Sequence, residues 1–125
     1  MLPPLPGLAA DEYNRGQSFA VQLPTMYVVA HRDYVRSVRM LPRGPERTGL
    51  VVQWLFTPET LERSDFDLEH CVALGRRVVE QDARVCELNQ KGLHCMRHQS
   101  GVLVAQEYGV FEFQQWVRQA LKAKM

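Results

Sequence analysis

Gln81-Asp82-Ala83-Arg84-Val85-Cys86-Glu87-Leu88-Asn89-Gln90-Lys91-Gly92-Leu93 reads as the closing turns of a long helix that a glycine stops just after a lysine. A cation in the last turn complements the negative helix end, and Gly supplies the backbone freedom that a C-terminal stop needs. Traced upstream, the same helix starts at Ser64 or Asp65, where a small polar cap precedes Asp65, Asp67 and Glu69 at the positive end. The expected span is about 26 residues, or roughly 39 Å. Leu68, Cys71, Gly75, Val78, Asp82, Val85 and Asn89 recur at spacings of three or four, so one face is an apolar stripe that Asp82 interrupts.

An ionised carboxylate on a core-facing stripe costs several kcal/mol unless it is paired, hydrogen-bonded or bound to a cation. The ordinary reading gives Asp82 an arginine partner, Arg76, Arg77, Arg84 or one from the sheet that precedes the helix, or lets the helix curve so that the carboxylate stays wet. The sharper reading makes Asp82 a metal ligand, because carboxylate oxygens suit hard and borderline cations and a helix holds them rigidly. Helical spacing by itself leaves both open.

Outward from the helix, the preceding segment is strand-like. Phe19 to Ala30 carries Phe19, Val21, Leu23, Met26, Tyr27, Val28 and Val29, with Pro24 implying a bulge or an edge position. After a turn at His31-Arg32-Asp33, a second strand is expected from Tyr34 to Leu41, ending at Pro42. Arg43 to Gly49 then holds turn-forming residues, and a third strand covers Leu50 to Phe56, with Leu50, Val52, Trp54 and Phe56 on one face. A three-stranded antiparallel meander results. Met1 to Gln17, with three prolines and two glycines, reads as a linker, and a second helix is expected over about Gln106 to Ala123. The fold class is α+β.

The composition narrows the function classes. Fifteen basic residues face 14 acidic ones, and the arginines are scattered through the chain, so no nucleic-acid footprint is expected. No apolar run nears the roughly 20 residues of a membrane helix, and Met1-Leu2-Pro3-Pro4 lacks a basic signal-peptide start, which predicts a cytoplasmic chain without membrane association. Cys71, Cys86 and Cys95 are an odd set in a chain long enough for a core, so reduced thiols are expected, and Cys71 and Cys86 read as small apolar fillers of the helix. A zinc site from Cys86, Cys95 and His98, with His94, matches no standard zinc spacing. His31 and His70 read as surface or hydrogen-bonded structural residues.

The quoted segment also resembles the helix near the C-terminus of the Rieske-type non-haem iron oxygenase α subunits, in which an Asp is followed by Val-Cys-Glu or a similar triplet and then Gln-x-Gly-Leu. Gly101-Val102-Leu103, Glu107 and Phe111-Glu112-Phe113-Gln114-Gln115-Trp116-Val117 are similar to that family's ending. Leu23-Pro24-Thr25-Met26-Tyr27, His31-Arg32-Asp33-Tyr34-Val35 and Pro42 to Thr48 resemble its strands and hairpin loop, although many members have Pro-Asn where Pro24-Thr25 stands. The resemblance spans nearly all 125 residues.

It implies that residues 1–125 form the C-terminal portion of an α-subunit catalytic domain, a partial helix-grip fold in which antiparallel strands wrap a long helix. It implies a mononuclear Fe(II) held by two histidines and one carboxylate, the last being Asp82, and a [2Fe-2S] cluster in a Rieske domain that this sequence does not contain. The family's Asp-x-x-His-x-x-x-x-His segment is absent between Met1 and Phe56, and of the cluster motifs only Cys95-x-x-His98 has a counterpart, in a loop where the family carries no cluster ligand. The chain is therefore expected to be a truncated or split subunit, inactive alone in ring hydroxylation or demethylation. Its expected partners are a reductase or ferredoxin for the intact enzyme, a small organic substrate, and other copies or chains associating through the incomplete sheet. The alternative is a metal-free helix-grip module, completed by a second chain, that binds an apolar ligand.

Overall fold

The structure, a computed structural model, describes residues 2–123. It divides into two units, Met1–Leu68 and Glu69–Met125. The first holds one four-stranded antiparallel sheet in the order β1 (Gln17–Gln22), β2 (Met26–His31), β3 (Val35–Gly44) and β4 (Arg47–Leu55). The second holds a long helix and a C-terminal helix, so the α+β class and the strands-then-helices order stand as expected.

The sheet has one more strand than the sequence suggested. The stretch expected as a single strand from Phe19 to Ala30 folds back on itself, with Gln22 paired to Met26 across Leu23-Pro24-Thr25. Pro24 therefore marks a hairpin turn and not a bulge, because its fixed φ and missing N–H suit a turn better than a ladder. The Leu23–Pro24 peptide is cis, and Met40 N–H donates to Thr25 O at 2.8 Å, tying this turn to β3.

Pro42 does not end the second expected strand. β3 runs on to Gly44, with Pro42 opposite Thr48 and an irregularity in register before Gly44 pairs with Arg47. Pairing of β2 with β3 stops at Met26 and Arg39, so beyond that point β3 has a ladder partner only on the β4 side. A residue without an N–H is tolerated on the open side. Gly44 adopts φ of 141°, which the tight connection requires and a side chain would resist.

Register fixes which residues share a face. Gln17, His31, Tyr34 and Phe56 form one row across the sheet, Phe19, Val29, Arg36 and Trp54 the next, and Val21, Tyr27, Val38 and Val52 a third. Val29 and Val38, at 1% and 0% exposure, are the centre of the apolar packing in this unit. On the opposite face Ser37 is buried and donates to Gln53 Oε1 at 3.3 Å, a cross-strand pair that satisfies the hydroxyl.

Two short helices flank the sheet. Residues 10–15 of the expected linker form α1 (Ala10–Arg15), while Met1 lies outside the described residues. Helix-favouring Ala, Glu and Arg, the Glu12 carboxylate accepting from Ala9 N–H at 2.9 Å, and an Asp11–Arg15 ion pair at 2.9 Å account for it. After β4, Thr57 caps α2 (Pro58–Leu61) by accepting from Thr60 N–H, with Pro58 at the first helical position.

The long helix is α3 (Leu68–Leu93), 26 residues as expected but shifted. Ser64 and Asp65 lie in a turn before it, and Asp65 is held by the Arg63 fork at 2.8 and 2.6 Å, which keeps its carboxyl below the usual range and occupies it as a cap. The helix passes Gly92 by one residue. Its expected core stripe is buried only near the start. Val72 is 4% exposed, with Cys71, Gly75 and Val79 half-buried, whereas Val78, Val85 and the whole stretch 80–89 are exposed. The last helix, α4 (Tyr108–Lys122), follows a short 3-10 turn at Ala105–Glu107.

Candidate functional site

Asp82 sits near the middle of α3, on the line Val72, Gly75, Val79, Asp82 that continues from its most buried turns. Its neighbours one turn away in either direction are Val78, Val79, Val85 and Cys86, so no charge lies at helical pairing distance. The expected arginine partner does not materialise. Arg76 binds Glu69 at 2.9 Å instead, and among the described residues Asp82 takes part in no ion pair. The carboxylate is exposed, as in the reading that leaves it wet, although the stripe it lies on was expected to face a core. Apolar residues lie one turn above and below it on the helix.

The other sulfur and nitrogen donors of this unit are dispersed. Cys71 is half-buried and Cys86 and Cys95 are exposed, with none of the three in a disulfide; its exposure means that Cys86 is no core filler. Cys95 and His98 lie in the turn after α3, joined through the backbone by His98 N–H donating to Cys95 O at 2.9 Å. Among the described residues no three His, Cys, Asp or Glu side chains gather into a metal-sized group. Among the described residues, therefore, no two-histidine, one-carboxylate set is assembled.

The sheet unit contains a second constellation that sequence reading passed over. His31, expected in a turn, is the last residue of β2 and is half-buried; its ring stacks on Tyr34 at 4.3 Å. Tyr34 meets Phe56 at 5.7 Å, and Phe56 meets Phe66 edge-on at 5.2 Å, giving a row of rings along the end of the sheet. One row inward, Arg36 stands between Val29 and Trp54. His31 Nε2, Arg36 Nε and Trp54 Nε1 are all shielded from solvent, and none has a hydrogen-bond partner among the described residues. Burial, and then the Arg36 charge, hold the His31 imidazole below its ordinary pKa against the opposing pull of Asp33. Each such orphaned group costs about 1–3 kcal/mol. Arg36 was hidden in the sequence because its neighbours become visible only through register.

The family model for the ring hydroxylating alpha subunit catalytic domain matches residues 1–123. Choline monooxygenase, chloroplastic, of Atriplex hortensis is 30% identical over 120 residues, 93% of this chain and 27% of that protein. The glycine betaine monooxygenase oxygenase subunit of Chromohalobacter salexigens is 26% identical over 84% of this chain and 24% of its own length. Choline monooxygenase, chloroplastic, of Spinacia oleracea is 29% identical over 83% of this chain and 24% of its own. The chain spans about a quarter of the length of these curated relatives. No solved structure matches it significantly. Among the described residues no helix is long and apolar enough to cross a membrane. With its strands, long helix and terminal helix all inside the matched region, the chain belongs to the ring-hydroxylating α-subunit catalytic-domain family.

Proposed function

We propose that this chain supplies the C-terminal part of the catalytic domain of a Rieske-type oxygenase α subunit, with Asp82 as the carboxylate ligand of the mononuclear iron. The observation that carries the reading is the Asp82 carboxylate itself, exposed on a long helix of the matched region and, among the described residues, engaged by no cation. Iron held by two imidazoles and a carboxylate activates oxygen beside the substrate. The imidazoles, and the ligands of the [2Fe-2S] centre, come from polypeptide outside these residues, so the chain by itself does not turn over. Electrons reach the assembled enzyme from a reductase or ferredoxin, and the subunits work as an oligomer.

For the substrate of that enzyme we favour a small quaternary amine. The support is that the relatives named above are a glycine betaine monooxygenase subunit and two choline monooxygenases. The second reading, a metal-free module completed by another chain, is favoured by the apolar side chains that the helices leave open, Leu74 at 72% exposure, Leu88 at 66% and Phe111 at 52%.

Iron content by elemental analysis tests the first reading. Protein is loaded with Fe(II) anaerobically, as this chain and as this chain joined to a family segment carrying the paired histidines, each with and without Asp82→Ala. Near-stoichiometric iron in the joined protein, lost with Asp82→Ala, is the expected result. Iron retained by the variant, or bound by none of the four, would sink the assignment and leave the metal-free module.

A further inference from the structure

Three shielded nitrogens without hydrogen-bond partners among the described residues lie on one face of the sheet, and their placement is set by strand register. Arg36 and Trp54 are direct cross-strand partners, so their side chains start about 5 Å apart. His31 is two residues along β2 from Val29, the residue opposite Arg36, and therefore stands diagonally from Arg36 on the same face. The Arg36 charge acts on the His31 ring, as expected of groups that close. Arg36 is flanked by Val29 and Trp54 in its row and faces Tyr34 and Val38 along its own strand, and among the described residues it has no ion-pair partner.

A cation whose Nε–H is shielded beside Val29 and Trp54 favours an anion, and the two neighbouring nitrogens call for hydrogen-bond partners. A carboxylate has the matching chemistry, since its two oxygens carry about four acceptor sites and pair with a guanidinium edge. Asp33, in the turn beside His31, is the near acidic group, and it accepts from none of them. The rings of Tyr34, Phe56 and Phe66 extend from this spot and offer a surface for a compact apolar or cationic body.

We propose that this face of the sheet binds the carboxylate of a small organic ligand, with Arg36 as counter-charge, Trp54 Nε1–H and His31 Nε2–H as flanking donors, and the aromatic row against the ligand's body. All the residues named for it belong to the sheet unit, and the proposal does not rest on the assignment of Asp82. Acceptance by an Asp or Glu of the polypeptide itself is the competing source of the same chemistry, and the test separates the two.

The isotopically labelled 125-residue chain is titrated with pivalate at constant ionic strength, with pivalamide as the uncharged isostere. The indole N–H of Trp54 is followed, and that of Trp116 on α4 serves as internal control. The expected result is a saturable shift at Trp54 with pivalate only, Trp116 unmoved, and affinity weakened by about tenfold or more in Arg36→Met. Trp54→Phe, followed at the Arg36 Nε–H, provides a second variant should Arg36→Met fail to fold. A Trp54 signal that ignores pivalate, follows pivalamide equally, or is already exchange-protected and unresponsive because a protein carboxylate holds it would overturn the proposal.

Discussion

Asp82→Ala should change the sign of its stability effect when iron is added. In the metal-free protein the carboxylate is exposed, has no ion-pair partner among the described residues, and sits between Val78, Val79, Val85 and Cys86. Its removal costs no pair and leaves no cavity. Alanine is the better helix former by about 0.5–0.7 kcal/mol at an interior position, so the variant should be as stable as the parent or more stable by up to that amount. If Asp82 ligates iron in the assembled domain, Fe(II) at 100 times its dissociation constant adds about 2.7 kcal/mol to the parent, and most of this is absent from the variant. Urea unfolding followed by circular dichroism, run anaerobically with chelator and then with Fe(II), reads both quantities on the chain joined to the paired-histidine segment. A metal-free loss above about 1 kcal/mol in the variant would mean that Asp82 is structural. Equal stabilisation of both proteins by Fe(II) would refute its role as a ligand.

The remaining predictions concern the sheet and the open helix faces. Val38→Ala, at a fully buried position, removes two carbons and should cost about 2–3 kcal/mol, transfer and cavity terms together, in urea unfolding. Thr57→Ala removes the acceptor for Thr60 N–H and the partner of the buried Thr60 hydroxyl at 3.1 Å, with an expected loss of about 1–2 kcal/mol by the same assay. Because His31 is held below its ordinary pKa, the unfolded chain binds its proton first. Stability should thus be full above the ordinary value of about 6.5 and decline as pH falls from there to the folded value, with His31→Phe abolishing that slope in melts at stepped pH. The exposed apolar side chains of α3 and α4 predict concentration-dependent self-association, and sedimentation showing a monodisperse monomer over a wide range would count against it.

Much of this protein was legible in the residues alone, and the reason is local periodicity. The length of α3 follows from an uninterrupted helical stretch without proline, and β3 and β4 follow from alternation around Val38, Val52 and Trp54. Asp82 was likewise identifiable as an acid on an otherwise apolar line, and the family could be recognised from motifs in order. Short features with weak local signals were missed. Pro24 reads equally as a bulge or a turn until Gln22 is seen opposite Met26, and six residues of α1 are too few to show a period.

What the sequence could not determine is which faces are covered and which side chains meet. The line from Leu68 to Asn89 carries the pattern of a buried stripe, yet burial depends on what packs there, and it fades after Val79 to leave Asp82 in solvent. His31, Arg36 and Trp54 are separated along the chain and carry no shared motif. Antiparallel register alone places them on one face, since a shift of one residue in pairing would turn any of them to the other side. Periodicity thus determined the elements and the suspect carboxylate, while tertiary pairing decided that a cation and two further nitrogens share an apolar face without an acceptor among the described residues.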